Sequence, residues 1–440
     1  MRNANRIFVN ETLGNSDGWS GFRPLRRYPG RLNLQRSGIS LVAAACAGIA
    51  FYTLYLYTLG VLIEPLQREF AWSRAGISAG LTIVSVATVL CSPFVGRLID
   101  RIGARRIALA GVSLYSAALL ALPLAGPSIE SWWLGWAFVA AGAMLIQPTI
   151  WSAAVVSRFD RHRGIALAFT LSGSGIASFF GPALVDALAR QYGWRIGYLT
   201  LGLVGLLFVL PLIWRVFFDA RDLERLSGRP ATSSRTSDGL SAAEGFRSRA
   251  FVQLALAGYL GTAAVTSLLV HFVPIVSGGG LDRSSAAYAA GVFGMAAIAS
   301  RIGSGFLLDR MDGRWIGAFA LGIPVLAPII FLNYDGSFLW AVIAAAIIGV
   351  GVGAEIDALA ILSARYFGLR NYGLLWGTIA GIVGLGSGTG PLVAGLIFDN
   401  TGSYDILFHM LIPLSAVVAL LLISIPRDIE HGKRDQLPYP

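Results

Sequence analysis

Lysine is almost missing from this chain of 440 residues: Lys433 is the single example, and the other 33 of its 34 basic residues are arginine. Charge of either sign is scarce, at 13% of residues where a soluble domain carries about 25%. With 55% hydrophobic residues, that scarcity excludes an ordinary water-soluble enzyme and excludes disorder. There are two cysteines, Cys46 and Cys91, both inside apolar runs, which excludes a disulfide framework and a zinc site. The four histidines are scattered, so no His/Asp/Cys cluster of the kind an intramembrane hydrolase needs is present. No Gly-x-x-x-x-Gly-Lys-[Ser/Thr] loop occurs, so the chain does not read as a nucleotide-driven pump, and no cofactor is implied. The first ~38 residues are polar and Arg-rich without an apolar core, unlike a cleavable signal peptide.

What the chain does have is long apolar runs. A span needs about 20 such residues, and twelve runs are centred near Phe51, Val86, Ser116, Gly142, Leu171, Leu206, Ala263, Ala296, Gly322, Ala346, Gly384 and Val417. A polar stretch from about 215 to 249 divides them six and six; its Gly228, Pro230 and Ser/Thr/Arg cluster have the composition of a flexible linker. The expected organisation is a tail (1–38), a six-helix half (39–217), a linker (218–249), a second half (250–425) and a tail (426–440). About 28 of the basic residues fall on the side holding both tails and the linker, and about 5 on the other, which predicts that both termini are cytoplasmic. The net charge of +10 is therefore assigned to the lipid bilayer and not to nucleic acid.

The halves repeat at an offset near 209: Asp100 with Asp309, Gly181-Pro182 with Gly390-Pro391, and Gly193 with Gly402, while Phe159 with Phe367 falls one short. The fold class predicted is an all-α membrane protein, twelve transmembrane helices in two pseudo-symmetric six-helix halves. Paired halves of this kind bind cargo at the midplane between them.

The segment Gly96-Arg97-Leu98-Ile99-Asp100-Arg101-Ile102-Gly103-Ala104-Arg105-Arg106 closely resembles the G-x-L-x-D-R-x-G-[RK]-[RK] loop of the major facilitator superfamily. Gly305-Phe306-Leu307-Leu308-Asp309-Arg310 is a degraded copy. Such a loop is a clasp: the aspartates (Asp100, Asp309) end helices and pair with the arginines (Arg101, Arg310), in one conformation and not in another. A finer resemblance runs from about 41 to 427. Gly60-Val61, Glu69-Phe70-Ala71-Trp72-Ser73-Arg74-Ala75, Phe159 to Ala168, Gly353-Ala354-Glu355-Ile356-Asp357 and Arg365-Tyr366-Phe367-Gly368 are similar to the bacterial monocarboxylate porter branch, which includes oxalate/formate exchangers. The Asp/Glu-Gly-Gly-Trp-type start of the first span, usual in animal members, is absent; Ala47-Gly48-Ile49-Ala50-Phe51-Tyr52 stands there.

Arg301 lies inside the eighth span, about 12 Å up the helix from Asp309 at about 1.5 Å per residue. A guanidinium in the bilayer needs a partner or a water-filled cavity. Arg301 followed by Gly305 resembles the branch's Arg-x-x-x-Gly, which implies a substrate carboxylate as partner; a structural ion pair with Glu355 or Asp357 is the alternative. Some members carry an acid one turn earlier, where this chain has Ala297. His271 resembles a histidine that faces substrate in bacterial members, and packing is its alternative reading. Glu355 and Asp357, two apart, point to different faces of a helix. One is expected to face the cavity and the other to support the clasp near Asp309, Arg310 and Arg314, with gate stabilisation the favoured role and proton relay the alternative; their neutral counterparts in the first half are Gln147 and Thr149, and Gln147 is a candidate substrate-binding residue. Tyr52 and Tyr55 share a face of the first span and offer hydroxyls to a carboxylate, or aromatic packing. His409 is expected to make an interhelical contact.

The resemblance implies a monomeric carrier, not an enzyme, moving a small organic monocarboxylate by alternating access with a proton. Its partners are then the organic anion, the proton and the bilayer. Alternatives are exchange of the oxalate/formate kind and proton-coupled drug efflux. Against efflux, Gly181-Pro182 is followed by Ala183-Leu184-Val185-Asp186 and lacks the glycine pair of that group.

Overall fold

The computed structural model describes residues 38–159, 163–219, 239–308, 310–368 and 370–426. Twelve helices among them are long and apolar enough to cross a membrane. They are α1 (Gly38–Phe70), α2 (Arg74–Ile102), α3 (Ala104–Leu124), α4 (Ile129–Val155), α5 (Ile165–Tyr192) and α6 (Trp194–Val216), then α7 (Arg249–Gly278), α8 (Arg283–Leu308), α9 (Gly313–Leu332), α10 (Phe338–Phe367), α11 (Tyr372–Thr401) and α12 (Asp405–Ile423). The chain is an all-α, multi-pass membrane protein. Large apolar side chains such as Leu207, Phe208, Phe319 and Leu420 stand exposed around the bundle. In water they would form an aggregating patch; against lipid they cost nothing.

Short connections make the helices run up and down, so the bundle has two ends. The basic end holds the starts of α1 and α7 and the loop arginines. The far end holds the α1–α2, α5–α6, α7–α8 and α11–α12 connections. Ser73 and Ser248 cap α2 and α7 by accepting the Gly76 and Phe251 amides at 3.0 and 3.2 Å. Helix α4 is interrupted between Ala143 and Pro148, where proline has no N–H to continue the ladder. Helix α5 breaks at Ser172, between Leu171 and Gly173.

The repeat is built into the packing. A Cβ on Gly181 would touch Leu54, and one on Gly390 would collide with Ala263, and Leu54 and Ala263 are themselves 209 apart. Gly193 and Gly402, the other 209 pair, end α5 and α11 with φ of +88° and +72°, a region that side chains disfavour. Arg105 donates to the Trp214 carbonyl at 2.5 Å and Arg314 to the Ile425 carbonyl at 2.7 Å, so each half pins its own outgoing chain the same way.

The halves meet along α2 against α11 and α5 against α8, and these contacts taper. On α8, a Cβ on Gly294 would sit 2.0 Å from the Gly175 carbonyl oxygen, whereas one on Gly305, on the same face toward the basic end, would meet nothing within 4 Å. On α11, Gly388 presses on Ser85 and Leu81 and Gly395 on Ala75, whereas Gly384 and Gly377 face open space. The bundle is therefore closed at the far end and parted at the basic end.

Candidate functional site between the halves

Arg301 sits where α5 and α8 begin to separate. Its Nε donates to Asp357 Oδ2 of α10 at 3.0 Å. Its Nη1 crosses to the other half, donating to the Leu171 carbonyl at 2.9 Å and lying 3.5 Å from Ser174 Oγ. The break in α5 explains the second contact. At Ser172 the helix turns, and the Leu171 carbonyl accepts from Ser174 Oγ and the guanidinium together. The Arg301 side chain is 10% exposed and Asp357 22%. The guanidinium is thus not solitary: it holds a carboxylate on its own half and a carbonyl on the other.

The other expected site residues do not all gather here. His271 is fully buried at the closed far end. Its Nε2 faces the Pro391 carbonyl at 2.9 Å; a carbonyl only accepts, so that nitrogen carries the proton. Nδ1 then accepts from the Tyr404 hydroxyl at 2.7 Å, and Ser78 Oγ of the other half lies 3.4 Å from Nε2. Tyr55 is buried and Tyr52 half-buried, the rings edge-on at 5.6 Å, and Tyr115 donates to the Tyr52 carbonyl at 3.3 Å. They belong to an aromatic wall running through Trp136 and Trp132. Gln147, buried, stands at the N-terminal boundary of the second piece of α4.

Glu355 and Asp357 do point to different faces, and among the described residues neither pairs with Arg310 or Arg314. Glu355 is buried against α7 and accepts from Thr262 Oγ1; no cation pairs with it among the described residues. Asp357 is taken by Arg301, the cation at ion-pair distance from it among the described residues. Arg314 is instead occupied by Asp312 and the Ile425 carbonyl, and its hydrogen bonds hold the Asp312 carboxyl below the usual carboxylate range. The Asp100 side chain and Asp309 lie outside the described residues. Arg101 and Arg310 are exposed, and Arg310 lies on its own Phe306 ring, 3.4 Å from the centroid. His409 corrects an expectation: it faces out of the bundle and, among the described residues, is bonded to the Asp405 carbonyl of its own helix at 2.7 Å, since its position on α12 lies opposite the packed face.

A second set of groups, not singled out in the sequence, closes the far end. Asp399 of α11 accepts the backbone amides of Arg74 and Ala75 of α2 at 2.9 and 2.8 Å, and Arg74 Nη1 donates to the Tyr404 hydroxyl at 2.6 Å. On the other side Asp186 of α5 pairs with Arg283 of α8 at 3.0 Å. Arg74 and Arg283 are 209 apart. The offset of 209 thus marks the two far-end arginines as equivalent positions in the two halves.

The sequence model of the Major Facilitator Superfamily matches residues 41–368. Monocarboxylate transporter 12 of Mus musculus is 24% identical over 411 residues, covering 87% of this chain and 84% of that protein. The gallate transporter of Pseudomonas putida is 26% identical over 399 residues, covering 83% and 86%. A crystal structure of the nucleoside transporter NupG superposes with a TM-score of 0.72 at 12% identity, over 88% of this chain and 99% of that one.

Proposed function

This chain belongs to the major facilitator superfamily and is a transporter, not an enzyme; from that premise we propose that it carries a small organic monocarboxylate, together with a proton, through the space between its halves. The basic end is taken as cytoplasmic, on the arginine imbalance, so the form described here is open to the cytoplasm. The halves are taken as 39–217 and 250–425, rocking about the site.

One observation carries the reading. Arg301 is a buried guanidinium at the point where the halves part, and what it holds is a carboxylate, Asp357. A substrate carboxylate offers the same two oxygens in the same plane and fits the fork bidentately. As it displaces Asp357, the freed aspartate has lost its cation in a poorly hydrated place, and taking up a proton removes the uncompensated charge. One anion and one proton then enter together, and the loaded site gains no net charge. Release on the cytoplasmic side reverses both steps. Ser174, beside Arg301, would orient the cargo. The names of the carboxylate-transporting relatives agree with this choice of cargo.

Uptake by purified protein in proteoliposomes tests it. Arg301→Ala is expected to abolish uptake of carboxylates that the parent accumulates under an inward proton gradient. Full transport by that variant refutes the clamp. Uptake that ignores the gradient but requires internal carboxylate would replace proton symport by exchange.

A further inference from the structure

His271 occupies a position that carboxylate capture does not explain. It belongs to α7, lies well inside the closed far end, and is an inner member of a directed chain of hydrogen bonds that crosses between the halves. Arg74 of α2 donates to the Tyr404 hydroxyl oxygen, Tyr404 donates to His271 Nδ1, and His271 Nε2 donates to the Pro391 carbonyl. Asp399 fixes the other side of Arg74 through the two backbone amides of the first turn of α2, and the Arg74 guanidinium stacks on Phe398, 3.6 Å from the ring centroid. Every donor in the chain has one acceptor while the imidazole is neutral.

We propose that His271 is a proton-operated release for the far-end closure, so that a second proton on its ring favours the form open at the far end. A proton on Nδ1 ends the bond donated by Tyr404 and turns that nitrogen into a second donor toward the same phenolic oxygen. Two cations, imidazolium and Arg74, then share one neutral oxygen across the boundary between the halves. The charged groups facing the ring are Arg74 and Asp399, and Arg74 acts on it more strongly. Asp399 is already committed to the α2 amides. Ser78, packed from α2, offers only a neutral hydroxyl. Nor can water help, because His271 has no exposed surface while the end is closed. Opening hydrates the ring and separates it from Arg74. Protonation and opening therefore favour each other, by reciprocal linkage.

The test uses the full chain in lipid nanodiscs with no carboxylate added, so its outcome is separate from the choice of cargo. Spin labels go at Gln191→Cys and Asn333→Cys, exposed far-end positions on opposite halves, in a Cys46→Ser, Cys91→Ser background. Between about pH 8 and about pH 5 the ratio of long to short label distances should rise about tenfold in the parent. His271→Gln, whose amide still donates to Pro391 and accepts from Tyr404, should stay closed at both. A parent that ignores pH, or a glutamine variant that responds as the parent does, overturns the proposal. If the glutamine variant does not fold, imidazole nitrogen shifts of the parent decide. Nδ1 of His271 must gain its proton over the interval in which the distance changes, and a ring that stays neutral through opening overturns the assignment.

Discussion

Exchanging Asp357 for asparagine separates a competitor from a mere support. If Asp357 holds the place that cargo takes, every binding event works against the Asp357–Arg301 bond, and removing that bond must tighten binding. Two unit charges about 4 Å apart attract by about 4 kcal/mol at an effective dielectric of about 20. Asp357 keeps 22% of its side chain exposed and Arg301 10%, and stripping water from both ions offsets much of the attraction. The competition left is about 1–2 kcal/mol, so Asp357→Asn should raise carboxylate affinity about tenfold. The same change removes the group that accepts the proton, so uptake should lose its response to a proton gradient. Calorimetric titration of purified protein with the carboxylate that the parent accumulates reads the first effect; proteoliposome uptake at matched and unmatched pH reads the second. Affinity that falls as far in Asp357→Asn as in Arg301→Ala would show that Asp357 only positions the guanidinium, and the displacement mechanism would be wrong.

Gly294→Val should hold the far end apart, because even its Cβ would lie 2.0 Å from the Gly175 oxygen. Overpacking costs about 1–3 kcal/mol in the closed form alone, and spin labels across the far end should move apart. Gly305→Ala, facing open space, is the control that should leave the distance unchanged. Asp312→Ala removes the cap of α9, whose Oδ1 accepts the Arg314 amide at 3.0 Å, and should lower stability by about 1 kcal/mol at neutral pH. Arg314 lowers the Asp312 carboxyl in the folded chain, so its contribution is present above the unfolded carboxyl's range and is lost as pH falls through the folded one. Thermal unfolding of parent and variant should therefore converge in acid, and a gap of constant size would count against the cap.

The twelve spans were legible because lipid demands long uncharged runs, and no packing detail alters that demand. The repeat was legible in Gly181-Pro182 and Gly390-Pro391, where helices approach at equivalent places in both halves: a Cβ would touch Leu54 at Gly181 and collide with the Ala263 backbone at Gly390. Arg301 stood out as a buried charge that must be answered, but which acid answered it did not. Glu355 and Asp357 are two residues apart, and the rotation of α10 against α7 and α8 gives one to Thr262 and the other to Arg301. His271 was legible as a titratable group in an apolar run; its depth within the closed end depends on α2, α11 and Tyr404, which lie far from it along the chain.

By itself the amino-acid sequence determined the class of molecule, the number of crossings and the duplication, because burial in hydrocarbon and helix contact act on residue type and spacing alone. Only the tertiary structure decided which charges pair across the halves and which end of the bundle is shut. Those outcomes turn on the relative rotation and tilt of helices distant along the chain, where Glu355 and Asp357, two residues apart on one helix, find a threonine and an arginine as partners.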